Sequence, residues 1–302
     1  MRKTNGIKGA GTALVTPFKN GKVDFAALTR IIEKQIEDEV DFLVALGTTG
    51  EASALTISEK KSVLSHIVRV TSGRVPLVAG MFGGNCTAAI THRFAEYNLS
   101  GYAAIMASSP AYVKPTQEGI FQHYRAIAKE SPLPIIIYNV PGRTASNVLP
   151  ETVVRLANAS EKFIAVKEAS GDLVQGAKIL KDRPADFMVL SGDDPTAVPL
   201  LSCGADGCIS VIGNALPMMY ADMIHAGLRG DFAEASRLHL AMFDLHHWLY
   251  AESNPAGIKA ALEILRKCEK EVRLPLLPLS ERNYVQLKKE LEKVKKTKKA
   301  IV

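Results

Sequence analysis

Cysteine is scarce and poorly placed for chemistry: Cys86, Cys203, Cys208 and Cys268 form no C-x-x-C pair and follow no zinc spacing. Neither a disulfide framework nor a zinc site is expected, and small buried thiols in a reducing compartment are the ordinary reading. The seven histidines include no H-x-x-x-H or H-x-H, and the adjacent His246 and His247 would leave a helix in different directions. No protein-built metal site is expected. Long apolar runs are missing too. The N-terminal stretch Ala13-Leu14-Val15 stops at Thr16-Pro17, too short for a signal peptide, and nothing approaches membrane-spanning length. The expectation is a cytoplasmic protein with no membrane partner.

Aromatic residues make up 6% of the chain, with a single tryptophan, so a stacking platform for nucleic acid is not apparent. The net charge of +6 is also misleading. Residues 285–302 carry seven lysines against Glu290 and Glu292, a net of +5 that leaves +1 for the rest. With Leu287, Leu291 and Val294 at helical spacing, the tail predicts a surface helix with one apolar stripe and a frayed, lysine-rich end. No nucleic-acid partner is expected.

What remains is an ordinary globular composition, 47% hydrophobic and 23% charged over 302 residues. Short apolar runs end near Thr16, Gly47, Gly80, Ala107, Tyr138, Lys167, Gly192 and Val211, at intervals of about thirty residues that shorten toward the end. Between them lie helical patterns with start signals at Asp24, Ser58, Thr116 and Asp194-Pro195. Eight strand ends alternating with helices predict an α/β fold, a TIM (β/α)8 barrel over residues 1–229. A C-terminal helical region with a basic tail is expected over 230–302. An open doubly wound sheet would want a glycine-rich phosphate turn after its first strand, and Gly9-Ala10-Gly11 precedes that strand instead.

Chemistry in a barrel of this kind sits at the C-terminal ends of the strands. Lys167 ends the run Phe163-Ile164-Ala165-Val166, where an ammonium group is expensive to bury. Burial of a lysine favours the neutral amine, the form that attacks a carbonyl to give a Schiff base, whereas in water only roughly one lysine in 2,500 is neutral at pH 7. The plainer alternative is a lysine whose head escapes to solvent. Its companions argue for chemistry. Tyr138 closes Ile135-Ile136-Ile137, Gly47-Thr48-Thr49-Gly50-Glu51 offers amides and hydroxyls in a tight turn, and Arg143 could fork a carboxylate. Tyr112 lies in the loop after the fourth run. Asp193-Asp194 follow Gly192, with Asp194 before Pro195 expected as a helix cap. Amine, phenol, hydroxyls and guanidinium at one end of the barrel suit carbonyl chemistry on a small anionic substrate.

On these motifs the chain resembles the pyruvate-dependent Schiff-base aldolases, the dihydrodipicolinate synthase and N-acetylneuraminate lyase family. The carriers are Gly47 to Glu51, Tyr138 to Thr144, Val166-Lys167-Glu168-Ala169, Ser191 to Asp194 and Gly207-Cys208-Ile209-Ser210. Within the family, Pro141-Gly142-Arg143-Thr144 and Lys167-Glu168-Ala169 look like the dihydrodipicolinate synthase branch. The resemblance implies that Lys167 forms an imine with pyruvate and that the derived enamine attacks L-aspartate 4-semialdehyde. Cyclisation would then give 4-hydroxy-tetrahydrodipicolinate, on the route to lysine and diaminopimelate. Thr48, Tyr138 and Tyr112 would relay protons, with Tyr112 reaching into a partner's site. Thr49, Gly192 and the backbone of Ile209 would hold pyruvate, and Arg143 the semialdehyde carboxylate. No cofactor is implied, and a homo-oligomer, dimer or tetramer, is. The alternatives are another sugar-acid aldolase of the family, such as an N-acetylneuraminate lyase, or a non-catalytic small-acid sensor on the same barrel.

The chain departs from the family's pattern around an interface pocket that binds lysine in many relatives. Ala52 stands where serine is usual, Ile57 and Lys60 where histidines are usual, and Ala111 where a tyrosine packs. Val113 replaces an asparagine, and Thr87-Ala88-Ala89-Ile90 lacks the expected glutamate. Little or no feedback inhibition by lysine is the expectation.

Overall fold

The computed structural model describes Arg2 and residues 6–299, without the side chains of residues 296–299. Eight parallel strands close into a barrel: β1 (Gly9–Ala13), β2 (Phe42–Ala45), β3 (Leu77–Ala79), β4 (Ala104–Ser108), β5 (Ile135–Asn139), β6 (Phe163–Glu168), β7 (Met188–Ser191) and β8 (Gly207–Ser210). Each strand pairs with its sequence neighbours, and β1 pairs with β8 to close the ring. Every strand end expected from the sequence falls within a few residues of an observed one, because each apolar run is buried on both faces. A short hairpin, Phe18–Lys19 with Lys22–Val23, stands apart from the barrel.

Two cores follow from this geometry. Val44, Val78, Met106, Ile136, Leu190 and Ile209 fill the barrel interior, while Ile105, Ile137, Val166 and Val189 belong to the larger core that includes Leu28, Leu64, Leu156 and Ile179 of the surrounding helices. Two of the four helix starts signalled in the sequence hold, those at Asp24 and Thr116. Asp24 accepts a hydrogen bond from the Ala27 amide and Thr116 from the Gly119 amide. The second helix is an exception: it runs Ile57–Thr71, and its cap is Thr56, not Ser58. Thr56 and Glu59 form a reciprocal capping box that satisfies two amides at once, so the helix starts earlier than Ser58 suggests.

The C-terminal region is helical as expected, with helices Phe232–Tyr250, Ala256–Ile264 and Glu281–Lys299. Asp231 caps the first of them through the Glu234 amide. Leu287, Leu291 and Val294 form the buried stripe of the last, and the end of the lysine-rich tail lies outside the described residues. No helix among the described residues is long and apolar enough to cross a membrane.

Candidate active site

A one-residue irregularity places the key lysine. Along β5 and β6 the register runs Ile135 opposite Phe163, then Ile136 opposite Ala165, so Ile164 is an extra residue on β6. Strand side chains alternate between faces, and Phe163 packs with the outer core. Without the extra residue, alternation would also send Lys167 outward. The bulge reverses the phase, sets Lys167 opposite Tyr138 and turns both into the barrel. The Nζ of Lys167 lies 4.5 Å from the centroid of the Tyr138 ring. Lys167 is 5% exposed, and no carboxylate among the described residues lies within ion-pair distance of it.

The outward neighbours hold this arrangement. Glu168 accepts hydrogen bonds from Asn139 (2.9 Å), Gln175 (3.1 Å) and the Ser170 amide (2.8 Å), and Asn139 also donates to Asn147. A fully partnered network of this kind resists rotation of the strand that carries Lys167. Gly192 supplies the space: a Cβ there would meet Cε and Cγ of Lys167 at 2.9 Å. Any side chain would displace the lysine.

The turn from Gly47 to Glu51 is tight, with the Gly50 amide donating to the Gly47 carbonyl and the Glu51 amide to that of Thr48. Leu46 and Glu51, on either side of it, have φ of 55° and 51°, a conformation that costs non-glycine residues energy and needs outside support. Part of that support comes from the C-terminal region. Asn254 donates to the Thr49 hydroxyl at 3.0 Å, and Lys259 and the Arg273 amide hold the Glu51 carboxylate.

These elements enclose a cavity of about 360 Å³ whose lining includes Thr48, Thr49, Tyr138, Arg143, Lys167 and Gly192. Arg143 sits on the short helix Pro141–Thr144 at the rim with no carboxylate partner among the described residues. Of the remaining expected site residues, Ile209 packs in the inner core beneath, while Val211 lines the wall. Tyr112 is 86% exposed with φ 71° and does not line this cavity within one chain.

Asp194 is not the helix cap that its position before Pro195 suggests. Its carboxylate accepts from the amides of Val211 and Ile212, both at 3.0 Å, tying the loop after β8 to the end of β7. Those two amides would otherwise be buried without partners, which is why the carboxylate turns toward them. Asp193 lines the cavity, and burial pushes its pKa up, with the Thr196 hydroxyl opposing and the neighbouring Asp194 charge adding to the rise.

Sequence reasoning missed Tyr250, Ser253 and Asn254, which complete the wall from the C-terminal helices. Nothing local marks them, since their role comes from where the helix Phe232–Tyr250 ends against the barrel. Chemically, the site offers an amine nucleophile, a phenol and a hydroxyl beside it, hydroxyls and amides for a carboxylate, and a guanidinium for a second anion.

The family profile described as the dihydrodipicolinate synthetase family matches residues 6–294. A 4-hydroxy-tetrahydrodipicolinate synthase from Parabacteroides distasonis is 44% identical over 95% of this chain and 97% of its own. The crystal structure of the chloride-inhibited dihydrodipicolinate synthase from Acinetobacter baumannii complexed with pyruvate superposes with a TM-score of 0.92 at 38% identity. That match covers 95% of this chain and 99% of that one. The crystal structure of the enzyme from Cyanidioschyzon merolae with lysine bound superposes at 0.90 and 35% identity, over 95% and 98%. The chain belongs to the dihydrodipicolinate synthetase family.

Proposed function

We propose that the protein is a 4-hydroxy-tetrahydrodipicolinate synthase, a Schiff-base lyase that condenses pyruvate with L-aspartate 4-semialdehyde. The observation that carries this reading is Lys167, buried, without a carboxylate partner among the described residues and set opposite Tyr138 by the β6 bulge. The Lys167 amine attacks the pyruvate carbonyl and expels water to give an imine. Loss of a methyl proton makes the enamine, whose carbon bonds to the aldehyde carbon of the semialdehyde as its oxygen takes up a proton. The substrate's own amine then attacks the imine carbon, closing the ring and releasing Lys167.

Thr48 and Tyr138 move protons between these stages, and Tyr112, exposed in one chain, completes the relay in a partner subunit's site. Thr49, Gly192 and the backbone at Ile209 hold pyruvate. Arg143 at the rim binds the semialdehyde carboxylate, which favours a carboxylated aldehyde over a neutral sugar aldehyde. The active protein is thus a homodimer or a tetramer of two such dimers, acting in the cytoplasm. Residues 1–229 carry the reacting groups, and 230–302 close the wall and brace the Thr48-Thr49 turn.

Borohydride added with pyruvate tests the mechanism, because only a trapped imine is reducible. One reduced pyruvate adduct per chain, mapped to Lys167, is expected, with loss of activity. An adduct on another lysine, or none, would overturn it. Turnover of pyruvate with aspartate semialdehyde, set beside N-acetylmannosamine, distinguishes the synthase from a sugar-acid lyase and from a silent sensor.

A further inference from the structure

The catalytic cavity is lined by two cationic residues, Arg143 and Lys167, and among the described residues by a single acid, Asp193. The neighbouring carboxylates are committed elsewhere. Glu168 is held by Asn139, Gln175 and the Ser170 amide, Asp194 by the Val211 and Ile212 amides, and Glu51 by Lys259. Asp193 accepts from the Thr196 hydroxyl at 2.9 Å and has no ion-pair partner among the described residues. It is only partly buried, and with Tyr250 it separates the catalytic cavity from another of about 350 Å³ beside the helix Phe232–Tyr250.

Topology fixes where this residue stands. β5, β6 and β7 are adjacent, with Tyr138 opposite Lys167 and Lys167 opposite Leu190. Arg143 follows the end of β5 and Asp193 the end of β7, so the strand that carries Lys167 runs between them. Asp193 also comes directly after Gly192, whose missing side chain leaves room for Lys167. A guanidinium, the reacting amine and a carboxylate are thus set in order around the mouth.

We infer that Asp193 receives the ammonium group of the semialdehyde and accepts its proton for ring closure. This rests on the function proposed above, in which Arg143 takes that substrate's carboxylate and its ammonium has no partner. An ammonium has no lone pair, so the nitrogen must lose a proton before it attacks the imine carbon. The N–H bond breaks, the proton passes to the Asp193 carboxylate, and the freed lone pair forms the bond to carbon. The bond from that carbon to Lys167 then breaks, and the carbon–nitrogen double bond passes to the ring. Over the exchange the substrate nitrogen gives up two protons and the departing Lys167 nitrogen gains two, so Asp193 carries protons across and ends as it began. Burial raises the Asp193 pKa, the Thr196 hydroxyl opposes this, and the Asp194 charge adds to the rise, which suits a carboxylate that must briefly hold a proton.

The test loads full-length protein with pyruvate, mixes it with L-aspartate 4-semialdehyde, quenches with borohydride and reads the mass left on Lys167. Asp193→Asn should form the pyruvate imine at a rate within about threefold of wild type. Ring closure should be about 100-fold slower, so that a heavier adduct of pyruvate plus semialdehyde accumulates on Lys167 in the variant and not in wild type. Asp193→Glu should recover part of the rate. Succinate semialdehyde keeps the aldehyde and the carboxylate but lacks the ammonium, and should condense with wild type and Asp193→Asn at rates within about threefold of each other. Ring closure in Asp193→Asn as fast as in wild type, or an equal loss with succinate semialdehyde, would overturn the assignment. Loss of pyruvate trapping in the variant would overturn it too, by placing the role of Asp193 at Lys167 or in the fold. Absence of the pyruvate adduct in wild type would overturn the function and this inference together, whereas a working wild type beside an unimpaired variant overturns the inference alone.

Discussion

Lys259 and Glu51 form an ion pair sealed from solvent: the ammonium nitrogen lies 2.5 Å from a carboxylate oxygen, and Lys259 has no exposed surface. Lys259 also donates to the Glu271 carbonyl at 2.8 Å and sits 3.9 Å above the Phe18 ring, while Glu51 accepts from the Arg273 amide. Burial pulls the Lys259 pKa down and Glu51 opposes the fall. The pair joins the helix Ala256–Ile264 to the end of the catalytic turn, where Glu51 is held at positive φ. It is a positioning device for Thr48 and Thr49.

Lys259→Met should therefore destabilise the protein by about 3–5 kcal/mol, because it leaves a carboxylate buried without its cation. Adding Glu51→Gln should recover a large part of that loss, since a neutral amide needs no counter-charge. Urea unfolding of the three proteins measures both effects. A single variant within about 1 kcal/mol of wild type would mean that the pair is not sealed as described.

The contrast between the two buried lysines shows what was legible in the sequence. Lys167 stood out because it interrupts an apolar strand beside other reactive groups, and periodicity alone was enough to mark the eight strand ends. Lys259 lies in the pattern Gly257-Ile258-Lys259-Ala260, where a helix could turn it to solvent, and its partner is more than two hundred residues away. The same distance hides Asn254 behind Thr49. The bulge at Ile164 was not visible either, since an extra residue leaves a continuous apolar run looking unchanged and shows only when the strands are paired. Asp194 departs from its cap-like local signal because two buried amides just past the end of the next strand, at Val211 and Ile212, claim its carboxylate.

Stability should fall on the acid side, and His123 is a main cause. It is buried, its Nδ1 lies 2.8 Å from the Thr87 hydroxyl, its Nε2 has no hydrogen-bond partner among the described residues, and burial holds its pKa down to about 4. Because the folded value lies below the unfolded one of 6.5, the unfolded chain binds the extra proton between the two. Stability is full above the unfolded value and declines as pH falls from 6.5 toward 4, by about 2–4 kcal/mol from this residue. His66, His239 and His246 are pulled the same way by burial, whereas the Asp41 hydrogen bond raises the pKa of His225 and favours the folded state at lower pH. Urea melts at neutral and mildly acidic pH should show a shallower acid decline for His123→Asn. An unchanged slope would remove His123 from the account.

L-Lysine should not inhibit. The cavity flanked by Ala52 and Ala111 presents Lys60 and Arg93, which repel the ligand's two ammonium groups, and no carboxylate among the described residues lines it to receive them. Glu51, which could have supplied one, is committed to Lys259. Lysine at about 1 mM should leave the initial rate of the condensation unchanged within error. Clear inhibition in that range would show that an acidic group reaches the cavity from elsewhere.

Tyr112 makes the oligomer testable. Its amide donates to the Thr144 carbonyl at 3.1 Å, which fixes the loop beside the site, yet Tyr112 stands at φ 71°, is 86% exposed and does not line the chain's own cavity. Holding a tyrosine in the left-handed region with its ring in water is unfavourable on both counts, and a partner subunit that buries the ring while receiving its hydroxyl would offset them. Tyr112→Phe and Lys167→Ala should each be nearly inactive alone. Mixed in equal amounts and allowed to exchange, half of the dimers pair one of each, and one site in each mixed dimer holds both native groups. Activity should then recover to about a quarter of wild type for a two-fold dimer. If heterodimers form, as mass spectrometry would show, and activity stays at the level of the single variants, Tyr112 serves its own subunit. The exposed ring would then have to fold back by a rearrangement of the loop from Ala111 to Lys114.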